Sequence, residues 1–559
     1  MSKSDDKLHP YVPKLVEQVK ERKINRRDFL QTATLLGLSA SSAYGVLGLA
    51  DPFAKPAAAQ GAGGVYRLAM RVPALDNPAT YSWVYDSNVA RQVCEYLTRT
   101  GPDNVTRPAL AEKWEASEDL KTWTFYLRKG VKWSNGDELV ADQVIWNMKR
   151  WLDPKVGSSI LGLMSSYMTN DVDLGEKDSK GNPTKTKQIW SDKAIEKVDD
   201  HTIRINAKVP QLAVPEHLFH YPALILHPSE NGKFGKGSIG TGAYSLVEYE
   251  VGKRCVLKKR PGYWGKQASI ETVEVHDLGD DPGATIAALA AKQVDGMYEA
   301  DISQIEVLKK LDNLKLYQVT TAQTAVARMQ ANNDTWKDPR VRQAMRHALD
   351  TEKLLQLAYS GLGAPGEHHH AAPVQPDYHK LPFMKQDIAA AKKLLAEAGH
   401  PNGFQTEIFC KNEPKWESIC VQAMAEMWKQ IGVEVKVNVL PSTQYWDIWN
   451  APTAPFAFTA WTHRPLASML YGLAYRSGAV WNESFWSNKE FDELLTKVEG
   501  TYELDKRKEM MGKLQQIMLD DGPAQIPLWR ALITFHDKKL QGFQAHPTSY
   551  VFMEEWSLA

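Results

Sequence analysis

The strongest constraint on the fold is one stretch in which a short aromatic and β-branched run, two turn signals and a helix-period run follow in direct succession. Trp123-Thr124-Phe125-Tyr126-Leu127 reads as a strand that stops at Lys129-Gly130, and Asn135-Gly136 marks a second turn. Asp142-Gln143-Val144-Ile145-Trp146-Asn147-Met148 then sets apolar groups at helical spacing behind an acidic start. Farther along, Thr202-Ile203-Arg204-Ile205, Val433-Glu434-Val435-Lys436-Val437 and Phe456-Ala457-Phe458 are strand candidates. Helices lie between many of them. Asp338-Pro339 caps a helix that carries Val341, Ala344, Met345, Ala348 and Leu349 on one face, and Asp387 to Gly399 follows the same grammar through Ala391, Leu394, Leu395 and Ala398. The pattern predicts an α/β protein with more than one sheet and no 20- to 50-residue repeat. Between Asp171 and Lys187 the sequence turns polar, with Gly175, Gly181 and Pro183, and reads as an exposed insertion.

With 559 residues the chain exceeds a single small module, and 43% hydrophobic with 24% charged residues excludes both wholesale disorder and a polytopic membrane protein. Lys plus Arg and Asp plus Glu each total 67, so no global basic field draws the chain to nucleic acid. The 18 tryptophans exceed what a core needs and point to an aromatic-lined cavity. Cys94, Cys255, Cys410 and Cys420 lack zinc spacing and read as buried thiols, with a Cys410–Cys420 bridge as the alternative. His368-His369-His370, with His379 nearby, is flanked by Gly363, Pro365, Gly366, Pro373 and Pro376. It reads as a surface loop, because consecutive imidazoles do not converge on one ion; metal binding is the minor alternative, and no metal or other cofactor is expected. No GxSxG, HExxH, GxxxxGK[ST] or GxGxxG pattern supports an enzyme, so a secreted hydrolase is a remote alternative.

The amino-terminal segment 1–59 reads as an export leader. Arg26-Arg27-Asp28-Phe29-Leu30 precedes a mildly apolar run from Thr32 to Ala50, and Ala57-Ala58-Ala59 offers a small-residue cleavage pattern. Paired arginines before a Gly- and Ser-diluted run resemble a twin-arginine signal. The alternative is a retained anchor, against which stand Gly37, Ser39, Ser41, Ser42, Gly45 and Gly48. Removing the nine basic and six acidic residues of 1–59 leaves a slightly acidic chain. The expected location is the periplasm.

Five sequence blocks, in order, carry a family resemblance. The first is made of Ala109–Glu115, Trp123–Trp133 and Asn135–Val144 together, and the second is Gly240-Thr241-Gly242-Ala243-Tyr244 with Tyr263-Trp264-Gly265. Val294-Asp295, Asp338–Ala344 and Asp387–Gly399 complete the series. Together they resemble family 5 solute-binding proteins, the dipeptide- and oligopeptide-binding receptors of bacterial ABC importers. The resemblance implies a periplasmic binding protein-like II fold of cluster C type, two hinged lobes with an extra domain inserted in the first. It places lobe I at 60–84, 238–320 and 521–559, the inserted domain at 85–237 and lobe II at 321–520. It also implies a monomer that delivers a small-molecule or peptide ligand to membrane permease subunits, without catalysis.

In peptide-binding members a Trp-x-x-Asp segment holds the peptide, its acid pairing with the free amine. The matching stretch here is Trp461-Thr462-His463-Arg464, with arginine in place of the acid. A guanidinium repels an amine and suits a carboxylate, so Arg464 is expected to bind an acidic group of the solute; otherwise it points outward or pairs with a protein acid. Trp461 is expected on the ligand. The resemblance adds Trp83 and Tyr85, whose alternative is packing between lobe and insertion. Trp481-Asn482 could close the pocket or pack on its own lobe. Cargo of the opine, oligosaccharide or metal-chelate class remains open on the same scaffold.

Overall fold

One strand, Leu314–Met329, belongs to two sheets at once. The computed structural model describes residues 8–52, 63–81, 84–177 and 183–559. From Leu314 to Thr320 this strand pairs antiparallel with Asp537 to Ala531, and from Thr324 to Met329 it pairs with Trp461 to Phe456. The register shifts between Thr320 and Gln323, a bulge that bends the strand from one sheet into the other. The returning chain makes the same passage: Ala524-Gln525 pairs with the second half, Leu528–Asp537 with the first. Two antiparallel crossings side by side therefore join two lobes, the geometry of a hinge.

The first lobe's sheet runs in the order 244–250, 254–259, 272–276, 65–69, 296–297 and 528–537, and the second's continues through 456–461, 404–411 and 433–440. In the second, Phe404–Lys411 and Val433–Leu440 are parallel, as their connection through the helix Lys415–Lys429 requires. A separate four-stranded antiparallel sheet, ordered 111–116, 122–127, 202–206 and 195–199, forms the inserted body. Its strand Thr122–Leu127 buries Trp123, Phe125 and Leu127 on one face, and Gly130 and Gly136 take positive φ in the turns that follow. The helix Pro339–His347 starts at Asp338, whose carboxylate accepts from Arg340 N at 2.8 Å, and Val341, Ala344, Met345, Ala348 and Leu349 are all buried. Asp387 caps Ile388–Glu397 in the same way.

The polar stretch between Asp171 and Lys187 is exposed where it is described, and it is an antiparallel hairpin: Thr169–Lys177 pairs with Pro183–Ile189 and leaves Val172 and Leu174 exposed. One expectation needs correction. The histidine run lies inside the protein, with His368, His369 and His370 each 1% exposed. Gly363–Pro365 pairs along Leu528–Arg530 beside the hinge and draws the run under Trp461 and Trp529, so the Gly and Pro residues mark an irregular path, not a surface one. His370 Nδ1 lies 2.8 Å from Tyr475 Oη, and Gln515 Nε2 donates to His369 at 3.1 Å. Among the described residues no group of three His, Cys, Asp or Glu is arranged to hold a metal. All four cysteines are buried free thiols, with Cys410 on a strand and Cys420 on a helix.

The segment read as a leader is folded where it is described. Helices Val12–Lys20, Arg26–Leu35 and Ala40–Val46 pack onto the body, and Phe29, Ala33, Leu35 and Leu36 lie in the same core as Trp114 and Phe125. Arg26 and Arg27 are exposed. Ala57-Ala58-Ala59 lies outside the described residues. Among the described residues no helix is long and apolar enough to cross a membrane.

This packing buries Glu216, which accepts from Gln31 Nε2 at 2.9 Å. Burial pushes its carboxyl up to about 8, with Asp377 adding to the shift while Gln31 and Arg507 oppose it. A carboxyl whose pKa rises on folding contributes stability below its unfolded value, and that contribution is lost as pH climbs through the folded one. Thermal melts should therefore show wild-type stability falling, relative to Glu216→Gln, between pH 4.5 and about 8. Parallel curves for the two proteins over that window would show that Glu216 is not protonated in the native state.

Candidate ligand cleft between the lobes

The cleft between the lobes encloses a cavity of about 610 Å³. Arg71, Tyr85, Tyr298, Glu299 and Arg530 line it from the first lobe, and Lys411, Glu413, Trp416, Glu417, Trp446, Trp461 and Thr462 from the second. A side pocket of about 390 Å³ shares Trp446, Ala460, Trp461 and Thr462 with it and adds Trp449, Thr459, Trp481, Arg464 and, from the inserted domain, Tyr221. Both volumes are those of small-solute sites; the side pocket is mostly aromatic with few polar groups, whereas charged and polar side chains make up much of the main cavity's wall.

The aromatic wall is positioned by a buried carboxylate. Glu483 accepts from Trp461 Nε1 at 3.1 Å, from Thr459 Oγ1 at 2.6 Å and from Arg328 Nε at 2.9 Å. Arg328, 1% exposed, also donates to the carbonyls of Ala454 and Trp449, so one guanidinium fixes the loop that carries Trp449 and the acid that orients Trp461. Burial pushes the Glu483 carboxyl above its ordinary range, against the pull of Arg328. Trp481 meets Trp461 edge-on, ring centres 6.1 Å apart, and His370 meets it from another side at 6.0 Å.

Arg464 is 3% exposed and lines the side pocket. Its Nη1 donates to Thr462 Oγ1 and, at 3.0 Å, to His463 O, and its guanidinium carbon lies 5.5 Å from the centre of the Tyr221 ring. Among the described residues its hydrogen bonds go to no carboxylate, and its Nε has no hydrogen-bond partner. The hydroxyl, carbonyl and ring contacts of this guanidinium supply no counter-charge, which an incoming anion would provide. The main cavity has the opposite balance. Asp280, Asp281, Glu299, Asp301, Glu413 and Glu417 outnumber Arg71, Lys411 and Arg530, and the cations are engaged with Asp280, Glu417 and Glu299.

Of the residues singled out from sequence, Trp461 and Thr462 line both cavities, Arg464 and Trp481 the side pocket, and Tyr85 the main one. Trp83 lies outside the described residues. His463 and Asn482 are not cavity residues. The strand Phe456–Trp461 ends at Trp461 and the chain turns inward, so His463 Nδ1 accepts from Ala322 N at 3.0 Å and Nε2 bonds Asn104 Oδ1 at 3.1 Å. Asn482 spends its amide on the carbonyls of Arg476 and Trp486, at 3.1 and 2.8 Å, and pins its own loop. Sequence reading missed Trp446, Trp449, Tyr221, Arg328 and Glu483. The i, i+3 spacing of Trp446 and Trp449 is a signal that could have found that pair; Arg328 and Glu483 carry none.

The model of bacterial extracellular solute-binding proteins, family 5 (middle), matches residues 105–482. The chain belongs to this family. It is 23% identical over 481 residues to the dipeptide-binding protein DppE of Bacillus subtilis, covering 82% of this chain and 85% of that protein. It is 25% identical over 504 residues to the glutathione-binding protein GsiB of Pectobacterium atrosepticum, covering 85% and 91%. Its fold matches the periplasmic binding protein DppA of Helicobacter pylori, solved in complex with the peptide STSA, at a TM-score of 0.74 and 22% identity over 89% of this chain and 98% of that one. The fold is therefore that of a family 5 solute-binding protein, and its work is to bind a solute for transport.

The wall of this receptor depends on the Arg328–Glu483 pair. Arg328→Met strands a buried carboxylate and should lower stability in urea titrations by about 3–5 kcal/mol, most of it regained in Arg328→Met/Glu483→Leu. A loss under about 1 kcal/mol would place the pair among weak surface ion pairs.

Proposed function

We propose that this receptor captures a short peptide or peptide-like polar solute carrying an acidic group, and delivers it to the permease of an ABC importer. The observation that carries the reading is Arg464, a buried guanidinium with an unpartnered Nε on the wall of an aromatic pocket. Trp461, Trp481, Trp446 and Trp449 give a ligand side chain apolar area without demanding one shape, and Thr462 adds a polar edge. The acid-rich main cavity suits the solute's amino end, so the cleft favours a molecule with separated charges of opposite sign. Relatives that bind a dipeptide and glutathione, the latter a peptide with two carboxylates, support this class. The tryptophan wall also fits a sugar ring, which keeps an oligosaccharide as the second reading.

The mechanism is a population shift. A solute that touches Tyr85 in one lobe and Trp461 in the other gains more from the closed form than from the open one, and that difference closes the hinge. Closure presents a new surface to the permease subunits. No bond of the solute changes, and the receptor acts as a monomer in the periplasm. Export through the twin-arginine route is supported by the exposed Arg26-Arg27 pair ahead of its mildly apolar run.

Mass spectrometry of protein purified from a native extract should release an acid-bearing peptide or peptide-like solute. Arg464→Ala should bind that solute at least about tenfold more weakly by calorimetry, roughly 1.4 kcal/mol. An unchanged affinity would remove Arg464 from the site, and a neutral sugar in the extract would replace the peptide reading.

A further inference from the structure

The side pocket differs from the main cavity in kind. Among the described residues, five of its nine lining side chains are aromatic and none is acidic, so Arg464 alone sets its charge. Much of its remaining polarity is spent behind the wall. Thr459 Oγ1 donates to Glu483 at 2.6 Å and accepts from Tyr445 Oη at 2.6 Å, and the Trp461 indole N–H is turned to Glu483 at 3.1 Å. Thr462 is the polar edge, its Oγ1 accepting from Arg464.

Two edge-on tryptophan pairs make the walls. Ring centres of Trp446 and Trp449 lie 5.9 Å apart at 65°, and those of Trp461 and Trp481 6.1 Å apart at 67°. Each pair sets a face beside an edge, the surface on which a third ring makes its preferred offset or edge-on contacts. These walls are held in advance of any solute. Arg328 bonds the Trp449 carbonyl and, through Glu483, holds the Trp461 ring, so little ordering is left for binding to impose.

Three kinds of acid-bearing group compete for this space. A sugar acid brings hydroxyls that find few partners here, and buried hydroxyls without partners are costly. An aspartyl or glutamyl arm reaches a guanidinium but leaves much of the 390 Å³ to water lying against tryptophan faces. An aromatic residue fills the space with a rigid ring and brings its own carboxylate a few bonds away. Tryptophan faces tolerate different rings; unpaired hydroxyls and trapped water they do not.

We propose that the side pocket selects the residue at the acid end of the solute, and that this residue is aromatic, its ring among Trp446, Trp449, Trp461 and Trp481 and its α-carboxylate on Arg464. The inference rests on the peptide reading and narrows it. The amino end then passes Trp461 and Thr462, which both cavities share, into the acid-rich main cavity.

The test is calorimetry on the full-length chain, freed of endogenous solute, with four defined compounds: alanyl-phenylalanine, alanyl-leucine, alanyl-glutamate and alanyl-phenylalanine amide. The phenylalanine peptide should bind at least about tenfold more tightly than the leucine and glutamate peptides, the scale of one or two aromatic contacts beyond area alone. Its amide should bind at least about tenfold more weakly, and that preference for acid over amide should vanish in Arg464→Ala. Trp481→Leu, at a half-buried position, should weaken the phenylalanine peptide while changing the leucine peptide by less than about threefold. Equal or tighter binding of the leucine or glutamate peptide to the wild type would overturn the aromatic assignment and leave the peptide receptor standing. Equal binding of acid and amide would take the carboxylate off Arg464 and overturn the inference as well. Failure of the peptide reading would look different: none of the four would bind, and the inference would fall with it.

Discussion

The structure turns on the bulge between Thr320 and Gln323, where one strand passes from the first sheet to the second. A bulge takes backbone groups out of the ladder, and buried groups so freed must find other partners. Here side chains supply them. Thr321 Oγ1 accepts from Gln323 N at 2.9 Å while donating to Arg530 O at 2.6 Å, and His463 Nδ1 accepts from Ala322 N at 3.0 Å. Burial holds the His463 imidazole neutral, with His546 and Arg464 acting in the same direction, and only a neutral ring can accept there. The crossing is thus tied by side chains of Thr321 and His463. His463 also reaches Asn104 on the inserted domain, so it ties the hinge to the part of the first lobe that faces it.

The same loop carries the site. Trp461 ends the strand beside the crossing, His463 secures the crossing and Arg464 turns into the side pocket, so three neighbours serve wall, hinge and charge. Coupling between binding and closure needs no long pathway under this arrangement. Glu483 and Arg328 lie behind it, and their ion pair spans the shared strand and the loops of Trp449 and Trp481. Trp461 is bonded through Glu483 to Arg328 on the strand that the two sheets share.

The sequence made local structure legible where local rules are strong. Asp338-Pro339 and Asp387 cap their helices, and the alternation of Trp123, Phe125 and Leu127 marks the inserted strand. Two-lobed architecture came through resemblance, since no local rule says that Leu314–Met329 divides between two sheets. Within the candidate site, Trp461 and Arg464 could be placed by alignment with a family segment, but His463 and Asn482 could not, because one or two residues past a strand end decide which way a side chain turns. Arg328 sits mid-strand and Glu483 in a loop, and their pairing is a tertiary fact between residues far apart in sequence. The histidine run misled for a related reason: Gly and Pro report an irregular backbone, and irregular backbone beside a hinge is interior.

The amino-terminal segment shows how one composition supports two readings. Gly37, Ser39, Ala40 and Ala43 dilute the apolar run below what a lipid bilayer rewards. Small residues also let a chain approach a protein surface closely, and this segment does so at Gly37 against the backbone of Trp114. The polar side chains at its start are paired here: Asp28 meets Lys508, Gln31 meets Glu216 and Thr32 meets Arg507, so no buried polar group among these three is left without a partner.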